Sequence, residues 1–216
     1  MNTPMIIDAV AAVQHAILAN ESQIESLDRA IGDGDHFINV RRGCEVLVKL
    51  SPDLKGMPPS LALHKIGMKL LGTIGGASGP LISSFFMAMG KTLEGVEEPD
   101  RRLFAAGFAS GVEAIKLRGK ADVGEKTMLD VLIPVSRLLI RLADEDTPLA
   151  ALCVQLKDEA SRNMLATRDM IASKGRASFL GERALGHIDP GCKTCEVAIA
   201  AVCDSVLQRN TSETAA

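Results

Sequence analysis

Along most of the chain, apolar residues recur three and four positions apart, and strict apolar–polar alternation is nearly absent. That spacing belongs to a helix, whose residues i, i+3, i+4 and i+7 share one face. The pattern predicts eight helices, near residues 4–20, 36–50, 60–74, 79–93, 99–118, 125–144, 147–172 and 190–209. Thr147-Pro148 and Asp189-Pro190 each join a capping side chain to a proline at the first helical position, where its missing N–H costs nothing. Pro134 falls inside the sixth predicted helix and predicts a kink there. The stretch from Arg209 to Ala216 loses the pattern and reads as a frayed tail. No repeat, low-complexity tract or linker divides the chain, so residues 1–216 are expected to form one domain. Eight helices with mostly short connections imply an all-α fold, an antiparallel bundle or barrel with its loops gathered at two ends.

Composition fits this picture and removes several functions. The 216 residues are 47% hydrophobic, enough for a sizeable core, and 24% charged with a net charge of −3. No clustered cationic face is evident to displace counterions from a nucleic acid, and six Phe with no Trp or Tyr leave little for base stacking. Nucleic acid is therefore not an expected partner. Asp8, Gln14 and His15 interrupt the apolar N-terminus, and no basic region precedes it, so it does not read as a signal peptide. No stretch approaches the roughly 20 uninterrupted apolar residues of a membrane helix, so no membrane association is expected. Five cysteines at irregular spacing do not form a disulfide framework, and a cytoplasmic location is the simplest expectation.

Candidate chemistry is concentrated in the connections. Leu27-Asp28-Arg29-Ala30-Ile31-Gly32-Asp33-Gly34-Asp35-His36 places three carboxylates at i, i+5 and i+7, with two glycines among them. Glycine permits φ > 0, so the chain can fold back and aim the carboxylates at one point. Clustered carboxylates repel unless a cation lies among them, and oxygen donors suit Mg²⁺ or Ca²⁺. A solvated acidic turn or a helix cap fits the spacing equally well. An EF-hand does not, because no glutamate stands at the twelfth position of a loop opened by Asp28 or Asp33.

Gly75-Gly76-Ala77-Ser78-Gly79-Pro80 precedes an apolar helical run, where small residues and a helix N-terminus can approach an anion. A tight interhelical turn is the alternative, and the Gly-Lys-Ser/Thr of a P-loop is missing. Lys174-Gly175-Arg176-Ala177-Ser178 runs on through Gly181-Glu182-Arg183 to His187-Ile188-Asp189-Pro190-Gly191, bringing three cations and another helix start into one loop. Arginine suits bidentate phosphate recognition, although solvated surface charge is the commoner meaning of such a run. Gly119-Lys120-Ala121-Asp122-Val123-Gly124-Glu125-Lys126-Thr127-Met128 reads only as a glycine-punctuated loop. The nearby Cys192-Lys193-Thr194-Cys195 has the spacing of half a zinc deaminase signature but lacks its glutamate and its separation from His187, so buried helical cysteines are expected instead. His15 and His64 sit in helical patterns as ordinary packing or surface residues.

Taken together, these segments resemble the nucleotide-binding L subunits of dihydroxyacetone kinases. The likeness covers nearly the whole chain and rests on Leu27 to Asn39, Gly75 to Leu81, Arg118-Gly119-Lys120, Lys126-Thr127-Met128-Leu129-Asp130, and Lys174 through Gly191. It implies an eight-helix antiparallel barrel with ADP or ATP and paired Mg²⁺ at one end. By position, Asp28, Asp33 and Asp35 would hold Mg²⁺. His36, Phe37, Ile38, Asn39, Ala77 and Ser78 would contact nucleotide and phosphate. Gly119 and Met128 would border the nucleoside, Arg176 would reach the phosphates as the catalytic cation, and Asp189, Pro190 and Gly191 would close the site.

The resemblance further implies a separate K subunit that carries dihydroxyacetone. It also implies, for the phosphotransferase-system type that the Lys174 to Gly191 run favours, a phosphohistidine M subunit that recharges a bound ADP. An ATP-exchanging kinase subunit for another ketose or tetrulose, and a nucleotide-loaded regulator of a transcription factor, are the alternatives; a homodimer is compatible with each. Three departures from the family pattern bear on the site: Ala30 where glutamate is common, Phe37 where glycine is common, and Cys192-Lys193-Thr194-Cys195 in place of a small-residue helix start. Phe37, bulky beside the metal loop, is expected to alter nucleotide fit or exchange, and Lys193 to contact phosphate or face water.

Overall fold

The computed structural model describes residues 2–76 and 78–214. Among them there is no strand. The helices are α1 (Thr3–Ala19), α2 (Glu21–Ile31), α3 (His36–Leu54), α4 (Pro59–Leu71), α5 (Ser78–Thr92), α6 (Arg101–Gly119), α7 (Leu129–Asp144), α8 (Leu149–Ala166) and α9 (Pro190–Thr214). Two 3₁₀ segments, Thr167–Asp169 and Arg176–Ala184, lie between α8 and α9.

Eight of these helices close a ring. From α3 through α9 each packs on the next, α9 packs back on α1, and α1 packs on α3. Direction alternates around the ring. Thr3 at the start of α1, for example, donates to the Met57 carbonyl just past the end of α3, at 2.6 Å. The fold is thus an antiparallel helical barrel, as the apolar period implied. Its interior is filled from two sides. Leu50, Leu54, Leu63, Ile66, Leu70 and Leu93 form one cluster, and Val131, Val135, Leu139, Leu152, Leu156 and Cys203 form another. Between them the small residues of α4–α6 allow close approach: a Cβ on Gly90 would stand 2.7 Å from the Ser60 carbonyl oxygen, and one on Gly111 2.5 Å from the Phe85 ring. Phe85 in turn meets Phe86 and Phe108 edge to face, with centroids 5.2 and 5.3 Å apart.

Several expectations are corrected. The ninth helix, α2, falls in a stretch read as motif and loop; it lies outside the ring and packs on α3, α9 and the second 3₁₀ segment. Helix α7 begins at Leu129, not near 125, because Lys126 adopts φ +58°, in the left-handed region, and stops a helix there. Helix α8 starts after Pro148 with no side-chain cap from Thr147, and it ends at Ala166, not 172. At that end the fully buried Thr167 donates to the Met164 carbonyl (2.7 Å) and accepts the Asp189 N–H (3.1 Å). Helix α9 continues to Thr214 instead of fraying at 209, while Ala215 and Ala216 lie outside the described residues. Pro134 does lie inside α7. No helix among the described residues is long and apolar enough to cross a membrane.

Candidate functional site

The alternation of helix direction brings four connections to one end of the barrel: 32–35, 72–76, 120–128 and 167–189. There α2 ends and α3 begins around the acidic motif. Carboxylate oxygens of Asp28, Asp33 and Asp35 all lie within 4.8 Å of one another. Asp28 comes from the last turn of α2 and is only 4% exposed, and its Oδ2 accepts the His36 N–H at the start of α3, at 3.0 Å. An anion at a helix N-terminus is favoured by the unsatisfied amides and the dipole there. Asp33 and Asp35 are exposed on the connecting turn.

The two glycines serve different purposes. Gly34 has φ +80°, the left-handed conformation that lets the turn reverse. Gly32 is not left-handed; it is there because a Cβ would stand 1.8 Å from Asp28 Oδ1 and 2.8 Å from the Asp28 carbonyl oxygen. Gly32→Ala is therefore expected to displace the Asp28 carboxylate and weaken Mg²⁺ affinity at least about tenfold, the scale on which a disturbed ligand environment acts. Titration of the variant with Mg²⁺, alongside its circular dichroism, checks this. Wild-type affinity would refute it.

The electrostatics agree with a cation site. Loss of hydration, then the hydrogen bond and charge of Asp33, push the Asp35 carboxyl above its usual range. These groups resist sharing one small volume as anions. Three carboxylates with no nitrogen or sulfur donor suit a hard cation such as Mg²⁺. Arg176, on the second 3₁₀ segment, reaches across to this cluster, its Nε 2.7 Å from Asp33 Oδ2. His36 is half-buried, and its Nε2 lies 2.8 Å from Thr194 Oγ1. The Thr194 hydroxyl donates to the Pro190 carbonyl at 3.0 Å, so toward His36 it accepts, and Nε2 carries the proton. Burial lowers the His36 pKa despite the pull of Asp28 and Asp35, which favours the neutral ring.

Other residues take up distinct places around this centre. The side chain of Asn39 meets the α4–α5 turn, where a Cβ on Gly75 would come within 3.3 Å of its Oδ1. Ile38 is exposed at the rim. Ser78 opens α5, its hydroxyl bonding the Gly75 carbonyl at 3.2 Å; Ala77 lies outside the described residues. Gly119 ends α6 against Leu81. Asp189 caps α9 as its sequence predicts, accepting the Cys192 N–H at 2.7 Å, with Pro190 as first helical residue. Burial of its carboxyl raises the Asp189 pKa to about 6. Gly191 faces Met128, whose Cβ would lie 3.7 Å from a Cβ on the glycine.

Phe37 departs from expectation. Its side chain is 2% exposed and packs with Ile17, Ile24 and Val197, so it turns away from the metal loop and crowds nothing there. Burying such a ring contributes about 2–3 kcal/mol to folding. Only its backbone amide, in the first turn of α3, is left to face the site. Lys193 neither reaches the carboxylates nor faces water; it is buried and paired with Glu196 at 2.8 Å. Cys192 and Cys195 are free thiols on α9, and Cys192 bonds the Thr127 carbonyl through Sγ at 2.8 Å. His15 and His64 are exposed surface residues. Sequence reasoning assigned no site role to Thr194, whose one signal is its place four residues after Pro190, or to Lys126 and Asp130, which are each buried.

An all-helical barrel that gathers three carboxylates, an arginine and helix N-termini at one mouth has the donors to hold a divalent cation beside a phosphate group. Residues 30–204 match the DAK2 domain. The chain is 39% identical over 178 residues to the ADP-binding subunit DhaL of the PTS-dependent dihydroxyacetone kinase of Lactococcus lactis, covering 82% of this chain and 84% of that one. It is 36% identical over 176 residues to the ADP-binding subunit DhaL of the PEP-dependent enzyme of Escherichia coli, covering 81% and 84%. The dihydroxyacetone kinase of C. freundii, solved with AMP-PNP and Mg²⁺, superposes with a TM-score of 0.73 at 25% identity, over 94% of this chain and 34% of that one. The chain belongs to the DAK2 domain family, alongside the ADP-binding DhaL subunits of dihydroxyacetone kinases.

Proposed function

We propose that this chain is the ADP- and Mg²⁺-binding phosphoryl-transfer subunit of a phosphoenolpyruvate-dependent dihydroxyacetone kinase. In this reading it passes phosphate to dihydroxyacetone held on a separate subunit. The observation that carries the proposal is the cluster of Asp28, Asp33 and Asp35 at the mouth of a barrel whose relatives are ADP-binding subunits over four-fifths of the chain. Asp28, Asp33 and Asp35 would hold Mg²⁺, taken as a pair, which would neutralise charge on the phosphates. Amides of the first turn of α3, from His36 to Asn39, and those around Ala77 and Ser78 would bind phosphate oxygens. Gly119 and Met128 would border the nucleoside, with Asp189, Pro190 and Gly191 closing the site beside it. Arg176 would offset charge that develops as the phosphoryl group moves. In this reading the chain contributes positioning and charge, and the attacking oxygen comes from the sugar on the partner subunit.

A sugar-binding K subunit and a phosphohistidine M subunit are the partners this reading requires, with the cytoplasm as the compartment. The chain purified in Mg²⁺ and challenged with labelled ATP should retain unlabelled ADP, released by acid. It should phosphorylate dihydroxyacetone only when the sugar-binding subunit and a phosphohistidine donor are added. Rapid exchange of ADP for ATP would replace this reading with an ATP-dependent kinase subunit. Turnover by the chain alone would overturn the division of labour.

A further inference from the structure

Lys126 is 1% exposed, although lysine is among the residues least often buried. Its Nζ donates to the Met170 carbonyl at 3.1 Å and to the Ala184 carbonyl at 2.6 Å. These two carbonyls stand at the two ends of the stretch that contains Arg176, so one ammonium closes the neck of that loop. Three residues into the loop, Glu125 repeats the attachment: its carbonyl accepts the Ser173 N–H (3.3 Å), and its Oε1 accepts the Ser173 hydroxyl (2.8 Å). The turn that supplies both residues is itself held rigid. Asp130, also buried, accepts the Gly124 N–H at Oδ1 (2.5 Å) and the Thr127 N–H at Oδ2 (2.7 Å), which holds Lys126 at φ +58°. A left-handed non-glycine residue costs about 1–3 kcal/mol and persists only where its surroundings enforce it.

Within hydrogen-bond reach, then, Lys126 meets carbonyl oxygens. The ammonium loses hydration there, which lowers its pKa from the ordinary lysine value, and the more distant charges of Asp189 and Asp169 offset only part of that. A single buried cation bridging two carbonyls fourteen positions apart sets the loop's shape as much as its stability. The loop in turn decides where Arg176 stands: its Nε reaches Asp33 from a segment that turns on glycines at φ +66° and +56° and whose buried Ala172, Ala177 and Ala184 pack with Ile31 of α2.

We propose that Lys126 is a positioning residue for phosphoryl transfer, acting through the loop it closes to hold Arg176 over the carboxylate cluster. The proposal rests on the phosphoryl-transfer reading of the site for its kinetic part, while its structural part is read without activity. In Lys126→Met, trypsin should cleave after Lys174, Arg176 and Arg183 about tenfold faster than in wild type, as the open loop becomes more populated. Cleavage after Arg137, Arg141 and Arg162 in α7 and α8 should be unchanged. With the sugar-binding subunit, kcat should fall about 100-fold, the cost of misplacing a reacting group by an ångström or so, with the KM for the phosphoryl donor within about threefold. Because Lys126 acts through Arg176, adding K126M to R176A should slow the reaction no further.

Equal loop cleavage in variant and wild type would overturn the proposal, as would additive losses in the double variant. If K126M loses helical content, Lys126→Gln, which keeps a shorter N–H donor, carries the same expectations. Absence of turnover by the wild-type chain with its partners would overturn the functional reading alone, and the trypsin pattern would still decide the role of Lys126.

Discussion

Asp33→Asn should abolish Mg²⁺-dependent nucleotide binding and leave the helical fold intact. Asp33 stands on an exposed turn between α2 and α3, outside every buried cluster, so folding makes little use of it. The substitution keeps the side chain's shape and removes one of the three negative charges gathered within 4.8 Å. A small hard cation is held by charge and by oxygen donors in near-ideal geometry, and it gives up its water reluctantly. Losing one anionic donor of three should therefore cost more than about 100-fold in affinity, the upper end of what outer-shell changes cost at metal sites. Calorimetric titration with ADP in Mg²⁺ and again in EDTA separates the metal-dependent part, and circular dichroism reports the fold. An ADP affinity in Mg²⁺ within about threefold of wild type would remove Asp33 from the site. Asp28→Asn is the less informative neighbour, because Asp28 also accepts the His36 N–H that begins α3, and its loss mixes folding with binding.

The barrel was legible because its ring helices carry long apolar stripes whose spacing needs no tertiary information. Helix α2 was not, although Ile24, Leu27 and Ile31 give it the same period over its 11 residues. Its apolar stripe is one residue wide, and its last turn doubles as the acidic motif, so the chemistry masked the helix. The boundary of α7 failed for a different reason. Nothing in Glu125-Lys126-Thr127 announces a left-handed lysine; that conformation is enforced from outside, by Asp130 on the turn and by two carbonyls 44 and 58 positions away.

The candidate site divides in the same way. The carboxylate cluster follows from one short segment, so its residues could be named in advance and the structure places them together. The mutual arrangement of Asp33 with Arg176, and of His36 with Thr194, joins segments 143 and 158 positions apart and depends on the barrel closing. Side-chain direction was the other blind spot. Position along the motif puts Phe37 beside the metal loop, but the first turn of α3 rotates it into the core between α1, α2 and α9. One helical step of about 100° separates a ligand-facing side chain from a core one.

Arg176→Ala should leave the fold and most of the nucleotide affinity in place and reduce kcat about 1,000-fold, the low end for an arginine that stabilises charge in phosphoryl transfer. The Arg176 side chain is 71% exposed, and its ion pair with Asp33 is open to solvent on both sides, so its removal costs the folded state little. Ground-state nucleotide would still be held by the carboxylates through Mg²⁺ and by the helix N-termini. In the proposed role the substitution would remove a planar donor for charge that develops only as the phosphoryl group moves, and such a loss falls on kcat rather than KM. Arg176→Lys sharpens the test. Lysine keeps the positive charge but not the guanidinium fork, so it should recover only part of the rate if directed hydrogen bonds matter and nearly all of it if charge alone does. Single-turnover measurement with the sugar-binding subunit distinguishes these outcomes from slow product release. R176A retaining more than about a tenth of the wild-type rate would assign Arg176 to the surface, with its contact to Asp33 an ordinary exposed ion pair.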